Sequence, residues 1–106
     1  MLTRCAYFSG HIKPGCEARF HDHVESRLVP LWTRFPGAHD VRVLRQQHSD
    51  VGEPAFPLVI TMRFEDQAAI DAALASPTRL ESQAESRALI GMFDGVVFHT
   101  VFEETV

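Results

Sequence analysis

No stretch of the chain approaches the roughly 18 consecutive apolar residues of a membrane-crossing helix. The first residues, MLTRCAYFSGHIKPG, lack a basic start followed by an unbroken apolar run and a small-residue cleavage site. No membrane association is therefore expected, and a cytoplasmic location is. A basic excess is also missing, since 10 Lys and Arg stand against 14 Asp and Glu for a net charge of -4. Nucleic-acid binders present a basic field to phosphates, so nucleic acid is not an expected partner. Cysteine is scarce: Cys5 and Cys16 stand alone, with no C-x-x-C and no second metal half-site. A disulfide is out of place in a reducing compartment, and both read as small buried or half-buried side chains. For Cys16, beside a helix start, a nucleophilic role is the alternative.

The motifs with the clearest mechanics are absent too: no G-x-G-x-x-G, no Walker string, no G-x-S-x-G elbow and no H-E-x-x-H. Nucleotide, hydrolase-triad and zincin functions lose their usual support, and no metal or cofactor is expected. With no repeat, linker or low-complexity segment, residues 1–106 read as one domain. A chain of 106 residues, 45% of them hydrophobic, can bury one core. At this length only about 60 to 70% of the unfolded surface is buried, so a pocket is hard to build in one subunit and a homo-oligomer is expected.

Thr3 to Ser9 reads as a first strand that stops at Gly10. From Glu17 onward Phe20, Val24, Leu28, Leu31, Trp32 and Phe35 recur at helical spacing until Pro36-Gly37. His39 to Gln47 is a half-buried strand, Ser49 to Pro54 a polar loop, and Leu58, Ile60, Met62 and Phe64 alternate as a strong strand. Asp66 caps a short helix carrying Ala69, Ile70, Ala73 and Leu74. Ser76-Pro77 starts another, with Leu80, Ala84, Ala88, Met92 and Phe93 on its inner side. Val96 to Glu103 is the last strand.

The order βαββαβ predicts an α+β, ferredoxin-like fold: a four-stranded antiparallel sheet with helices on one face. Ala6, Phe8, Val43 or Arg42, Val59, Val97 and Val101 are placed on the other face, which is then too apolar for solvent. Two such sheets packed face to face would form a homodimer, a dimeric α/β barrel.

Several strings in this order resemble the EthD-like branch (ethyl tert-butyl ether degradation) of the dimeric α/β-barrel superfamily. They are Lys13-Pro14-Gly15 with Glu17 and Phe20, Pro30-Leu31 with Phe35-Pro36-Gly37, Phe64-Glu65-Asp66 with Ala72 to Pro77, and Phe93-Asp94-Gly95. The resemblance implies a homodimer with a small-molecule ligand, in a superfamily that includes cofactor-free monooxygenases, lactone isomerases, haem-degrading enzymes and plain binders. Family members commonly carry a histidine in a His-x-Pro-Leu string, where this chain reads Leu28-Val29-Pro30-Leu31. That departure favours a non-catalytic accessory or binding role in a degradative pathway.

His21 shares the helical arc of Phe20, Val24, Leu28 and Trp32, and is the first candidate for a general base or acid. A histidine hydrogen-bonded at the rim of the core is the alternative. His23 points away from that arc, so the pair is a poor metal site. His99 is the second candidate, placed on the dimer-facing side of the last strand. Arg42 and Arg63 are assigned to that face, as an anion clamp or as members of interface ion pairs. The expected pocket lies between sheet and first helix, lined by Tyr7, Phe20, His21, Val24, Trp32 and Met62. It suits an aromatic or lactone-like metabolite and cofactor-free isomerase, lyase or monooxygenase chemistry. Haem binding through His21 or His99 is a further alternative.

Overall fold

The computed structural model describes residues 1–106. The elements run β1 (Leu2–Ile12), α1 (Glu17–His23), a π-helical turn (Val24–Leu28), α2 (Val29–Trp32), β2 (His39–Leu44), β3 (Leu58–Phe64), α3 (Gln67–Leu74), α4 (Pro77–Ile90) and β4 (Phe93–Glu103). All strand pairings are antiparallel, in the order β2-β3-β1-β4. Helices cover one face, the ferredoxin-like α+β arrangement expected from the element order.

Local chemistry sets the helix boundaries. The Asp66 carboxylate accepts the Ala69 N–H at 2.9 Å and starts α3. The Ser76 hydroxyl accepts the Arg79 N–H at 3.3 Å, with Pro77 in the first turn of α4. The first helix is not continuous, because Pro30 has no N–H and its ring would crowd the carbonyl four residues back. The widened turn Val24–Leu28 absorbs this defect while keeping Val24 and Leu28 buried. Phe20, Leu28, Leu58, Phe64, Ile70 and Leu89 form the fully buried centre of the core.

The register of β1 assigns every strand residue to a face. Ala6 pairs with Ile60 on one side and His99 on the other, and Phe8 with Leu58 and Val97. These side chains lie on the helix side. Tyr7 pairs with Val59 and Phe98, and Cys5 with Thr61 and Thr100, on the open face. The sequence expectation for β1 and β4, and for Val43 of β2, is thereby reversed: Ala6, Phe8, Val43, Val97, Val101 and His99 face the helices. Both strands are apolar on both faces, so alternation carries no sign there and only pairing decides it. The open face is apolar through other residues. Tyr7 stacks on Phe98 with ring centroids 5.1 Å apart and leans on Phe56 at 5.3 Å. Phe98 and Phe102 remain 39% and 50% exposed.

Two further expectations change. Leu80, Ala84 and Ala88 face solvent, Leu80 being 65% exposed, while α4 buries Ser82 and Leu89. Two alanines remove too little apolar surface from water to decide which face turns inward, and Leu89 anchors the helix instead. Gly10 does not end β1. It pairs with Gly95, so that β1 runs to Ile12 and β4 begins at Phe93. A Cβ on Gly10 would fall 2.1 Å from the Asp94 carbonyl oxygen, and its φ of 146° suits glycine alone. Gly10→Ala is expected to cost at least about 2 kcal/mol in urea unfolding, against a change near zero for alanine at Gly52, where a Cβ meets nothing within 4 Å.

Candidate functional site

A cavity of about 410 Å³ opens on the helix side of the sheet, within the size range of small-molecule sites. Its floor is Ala6 and Phe8 from β1, Ile60 and Met62 from β3, and Val97 and His99 from β4. Trp32 and Phe35 form an aromatic wall at the end of the first helical segment. The facing wall is α4, which presents Arg79, Ser82, Gln83, Ser86, Arg87 and Ile90, and Arg4 of β1 completes the lining. Positions 79, 82, 83, 86, 87 and 90 recur at three- and four-residue spacing and share one helical face. That polar stripe stands off the sheet and leaves the space.

The charge inside is of one sign. Arg4, Arg79 and Arg87 line the cavity and no Asp or Glu does. Burial, and then the like charge of Arg79, weakens the hold of the Arg4 guanidinium on its proton relative to an ordinary arginine. His99 sits at the open edge with part of its ring in solvent. Burial of the rest of the ring, followed by the positive charges of Arg4 and Arg79, lowers its pKa to about 4. At neutral pH His99 is therefore a neutral imidazole with a free acceptor nitrogen.

The structure brings Trp32, Met62 and His99 together in this cavity, and leaves the other expected residues elsewhere. Phe20 and Val24 are core side chains, Phe20 meeting Phe8 and Phe93 through its ring. His21 packs its ring edge-to-face on Phe20 at 5.3 Å and does not line the cavity. Burial, then the charge of Arg45, lowers its pKa. His23 spans to α4, its Nε2 lying 2.7 Å from the Glu85 carbonyl oxygen. Tyr7 belongs to the open face and cannot place its hydroxyl between sheet and helices. Arg42 and Arg63 share that face as expected, but not with His99. Arg42 pairs with Asp40 at 3.3 Å, and Arg63 forks onto Glu104 at 2.8 and 3.0 Å. No three His, Cys, Asp or Glu side chains gather as a metal-binding group. Leu28, in place of the family histidine, is fully buried and outside the cavity.

Arg4, Arg79 and Arg87 were missed by sequence reasoning. The available signals were an arginine inside an apolar strand run and the spacing of Arg79, Ser82, Ser86 and Arg87 along α4.

A ferredoxin-like domain with an apolar pocket under its helices and a few convergent polar groups is a small-molecule site on a widely used scaffold. Residues 1–85 match the family model for antibiotic biosynthesis monooxygenases, and the chain belongs to that family. The EthD-like resemblance holds for the fold, and the sequence family is this one. Solved structures agree on the architecture. An EthD family protein from Bacillus halodurans C-125 superposes with a TM-score of 0.75 at 23% identity, over 99% of each chain. A dimeric ferredoxin-like protein of unknown function from Jannaschia sp. CCS1 gives 0.68 at 20% identity, over 97% of this chain and 98% of that one. SnoaB, a cofactor-independent oxygenase from Streptomyces nogalater, gives 0.66 at 26% identity, over 99% and 93%. No curated protein matches the chain. No helix is long and apolar enough to cross a membrane.

The lowered His99 pKa has a consequence for stability. Between about pH 4 and 6.5 the unfolded chain binds a proton that the folded His99 refuses. Stability therefore falls as pH drops through that window. Arg4 and Arg79 act on the imidazole and Arg87 lines the same cavity, and none of them titrates there. In urea unfolding at stepped pH, His99→Gln is expected to flatten this decline relative to wild type, and an unchanged slope would contradict the assignment.

Proposed function

We propose that the protein is a cofactor-independent monooxygenase of small, flat phenolic or enolic metabolites, with the cavity under α4 as its active site. One observation carries this reading. His99 is the only titratable side chain lining that cavity that is unprotonated at neutral pH and so has a nitrogen free to take a proton, since the others are arginines. His99, rather than His21, is accordingly the proton acceptor. Removing a proton from a phenol or enol yields an electron-rich anion, and the arginines stabilise its charge as it forms. Such an anion can reduce dioxygen directly. For a 1-naphthol-like substrate the balance is naphthol plus O2 giving the quinone plus water, with the substrate supplying the electrons. Trp32, Phe35, Phe8 and Met62 provide the apolar bed for the ring.

Family membership and the likeness to SnoaB support this reading over an accessory role. Leu28 lies outside the cavity, so a histidine lacking there subtracts nothing from the site. Proton transfer on a lactone-like metabolite would use the same groups, with isomerisation in place of oxygen uptake. The reading includes a homodimer formed sheet to sheet through the open face of Tyr7, Phe98 and Phe102, which leaves the helix-side cavity free. A dimeric relative of the same fold supports it. A reducing, cytoplasmic setting and a degradative or biosynthetic pathway belong to it as well, in keeping with the free thiols of Cys5 and Cys16.

Oxygen uptake with a panel of naphthols and dihydroxynaphthalenes tests the chemistry. His99→Ala is expected to lower the rate by about 10²- to 10⁴-fold, while His21→Ala leaves it unchanged. Binding without uptake across the panel would return the protein to the accessory class. For the dimer, sedimentation at micromolar concentration is expected to give twice the 11.9 kDa chain mass. Phe98→Lys should shift it to the monomer, and a wild-type monomer would refute the barrel.

A further inference from the structure

Resting on the reading of this cavity as the ligand site, we infer that its ligand is an anion: a flat, largely apolar molecule bearing one carboxylate, held by Arg4 and Arg79 with Arg87 at the rim. Three of the chain's nine arginines line this one cavity, although acidic residues outnumber basic ones over the whole chain. Of the six arginines elsewhere, three find carboxylates: Arg34 reaches Glu81 at 3.9 Å, Arg42 reaches Asp40 at 3.3 Å and Arg63 reaches Glu104 at 2.8 Å. Neither Arg4, Arg79 nor Arg87 has such a partner within 4.0 Å. Arg79 donates from Nη1 to the Leu74 carbonyl oxygen at 3.3 Å, which orients the guanidinium and leaves its other N–H groups uncommitted.

Half-buried like charges without a counter-ion are unfavourable, and a bound anion relieves both their repulsion and their desolvation. The planar guanidinium fork matches a carboxylate through paired N–H donors. Ser82, Gln83 and Ser86 add neutral donors along the same wall. The rest of the lining argues against a small inorganic anion as the proper occupant. Trp32, Phe35 and Phe8 offer ring-sized apolar surface that phosphate alone would leave empty, whereas an aromatic carboxylate satisfies both halves.

The ligand's charge also acts on the base. In the empty cavity Arg4 and Arg79 disfavour protonation of His99. A carboxylate neutralising them removes the charge part of that penalty and leaves the part due to burial, so ligand binding itself makes the imidazole a better proton acceptor. The proton acceptor is thereby strengthened most by ligands that carry a carboxylate.

Calorimetric titration with 2-naphthoate, 2-naphthamide and inorganic phosphate tests this on the wild-type protein. We expect 2-naphthoate to bind at least about tenfold more tightly than the isosteric amide or phosphate, with an affinity that falls as salt is raised. Arg79→Met and Arg4→Met are each expected to cost about tenfold for the carboxylate and clearly less for the amide. Equal binding of acid and amide, indifference to both substitutions, or no naphthoate binding at millimolar concentration would overturn the inference. Phosphate matching naphthoate would overturn its aromatic half. The readout is binding alone. A protein that consumes no oxygen but keeps the acid preference loses the oxygenase reading and keeps this one, and His99-dependent turnover without the preference does the reverse.

Discussion

β1 is hydrogen-bonded along both edges, and this double pairing constrains everything around it. From Leu2 to Phe8 each residue has a partner in β3 and another in β4. A shift of one residue would exchange the two faces of the sheet. The observed register sends Arg4, Ala6 and Phe8 under the helices and Cys5 and Tyr7 to the open side. The Gly10–Gly95 crossing maintains the β1–β4 pairing past the point where side chains would collide. From this one register follow both the cavity lining and the apolar surface left for a second sheet.

The cavity is the place where packing yields to charge. Elsewhere on the helix side Phe20, Leu28, Leu58, Phe64 and Leu89 exclude water completely or nearly so. Under α4 the helix turns a polar stripe inward, and the space it leaves holds arginines without acids. Folding accepts this arrangement because Leu89 anchors the helix and the cavity opens to solvent along β4. Burial and the resulting field keep His99 neutral, and the field leaves an anion-shaped demand on the ligand.

Much of the fold was legible because it rests on local chemistry. Asp66 and Ser76 cap helices as their side chains dictate, and β3 alternates buried Leu58, Ile60, Met62 and Phe64 with half-exposed Val59, Thr61 and Arg63, while the first helical segment closes at Trp32, ahead of the expected stop at Pro36-Gly37. β4 was harder, since Val96, Val97, Phe98 and Val101 are apolar on both faces and the strand lies at an edge. Its parity, and with it the side taken by His99, is a tertiary fact. Gly10 and Gly95 read as strand ends because local propensity cannot show that the glycines face each other. The site was less legible than the fold. Its ionisable members sit at positions 4, 79, 87 and 99 on three separate elements, and only the sheet register and the packing of α4 on the sheet bring them together. His21 stood out in sequence because it lies on an apolar helical arc, yet that arc packs on Phe20 and never reaches the cavity.

The central claim is that burial, together with the charges of Arg4 and Arg79, holds His99 neutral beside an anion site. The most direct measurement is an NMR titration of the His99 ring in wild type and in Arg4→Met. The account predicts a wild-type pKa far below the ordinary 6.5, at about 4, rising when Arg4 is replaced and again when 2-naphthoate is bound. A wild-type value at or above 6.5 that ignores both changes would contradict it.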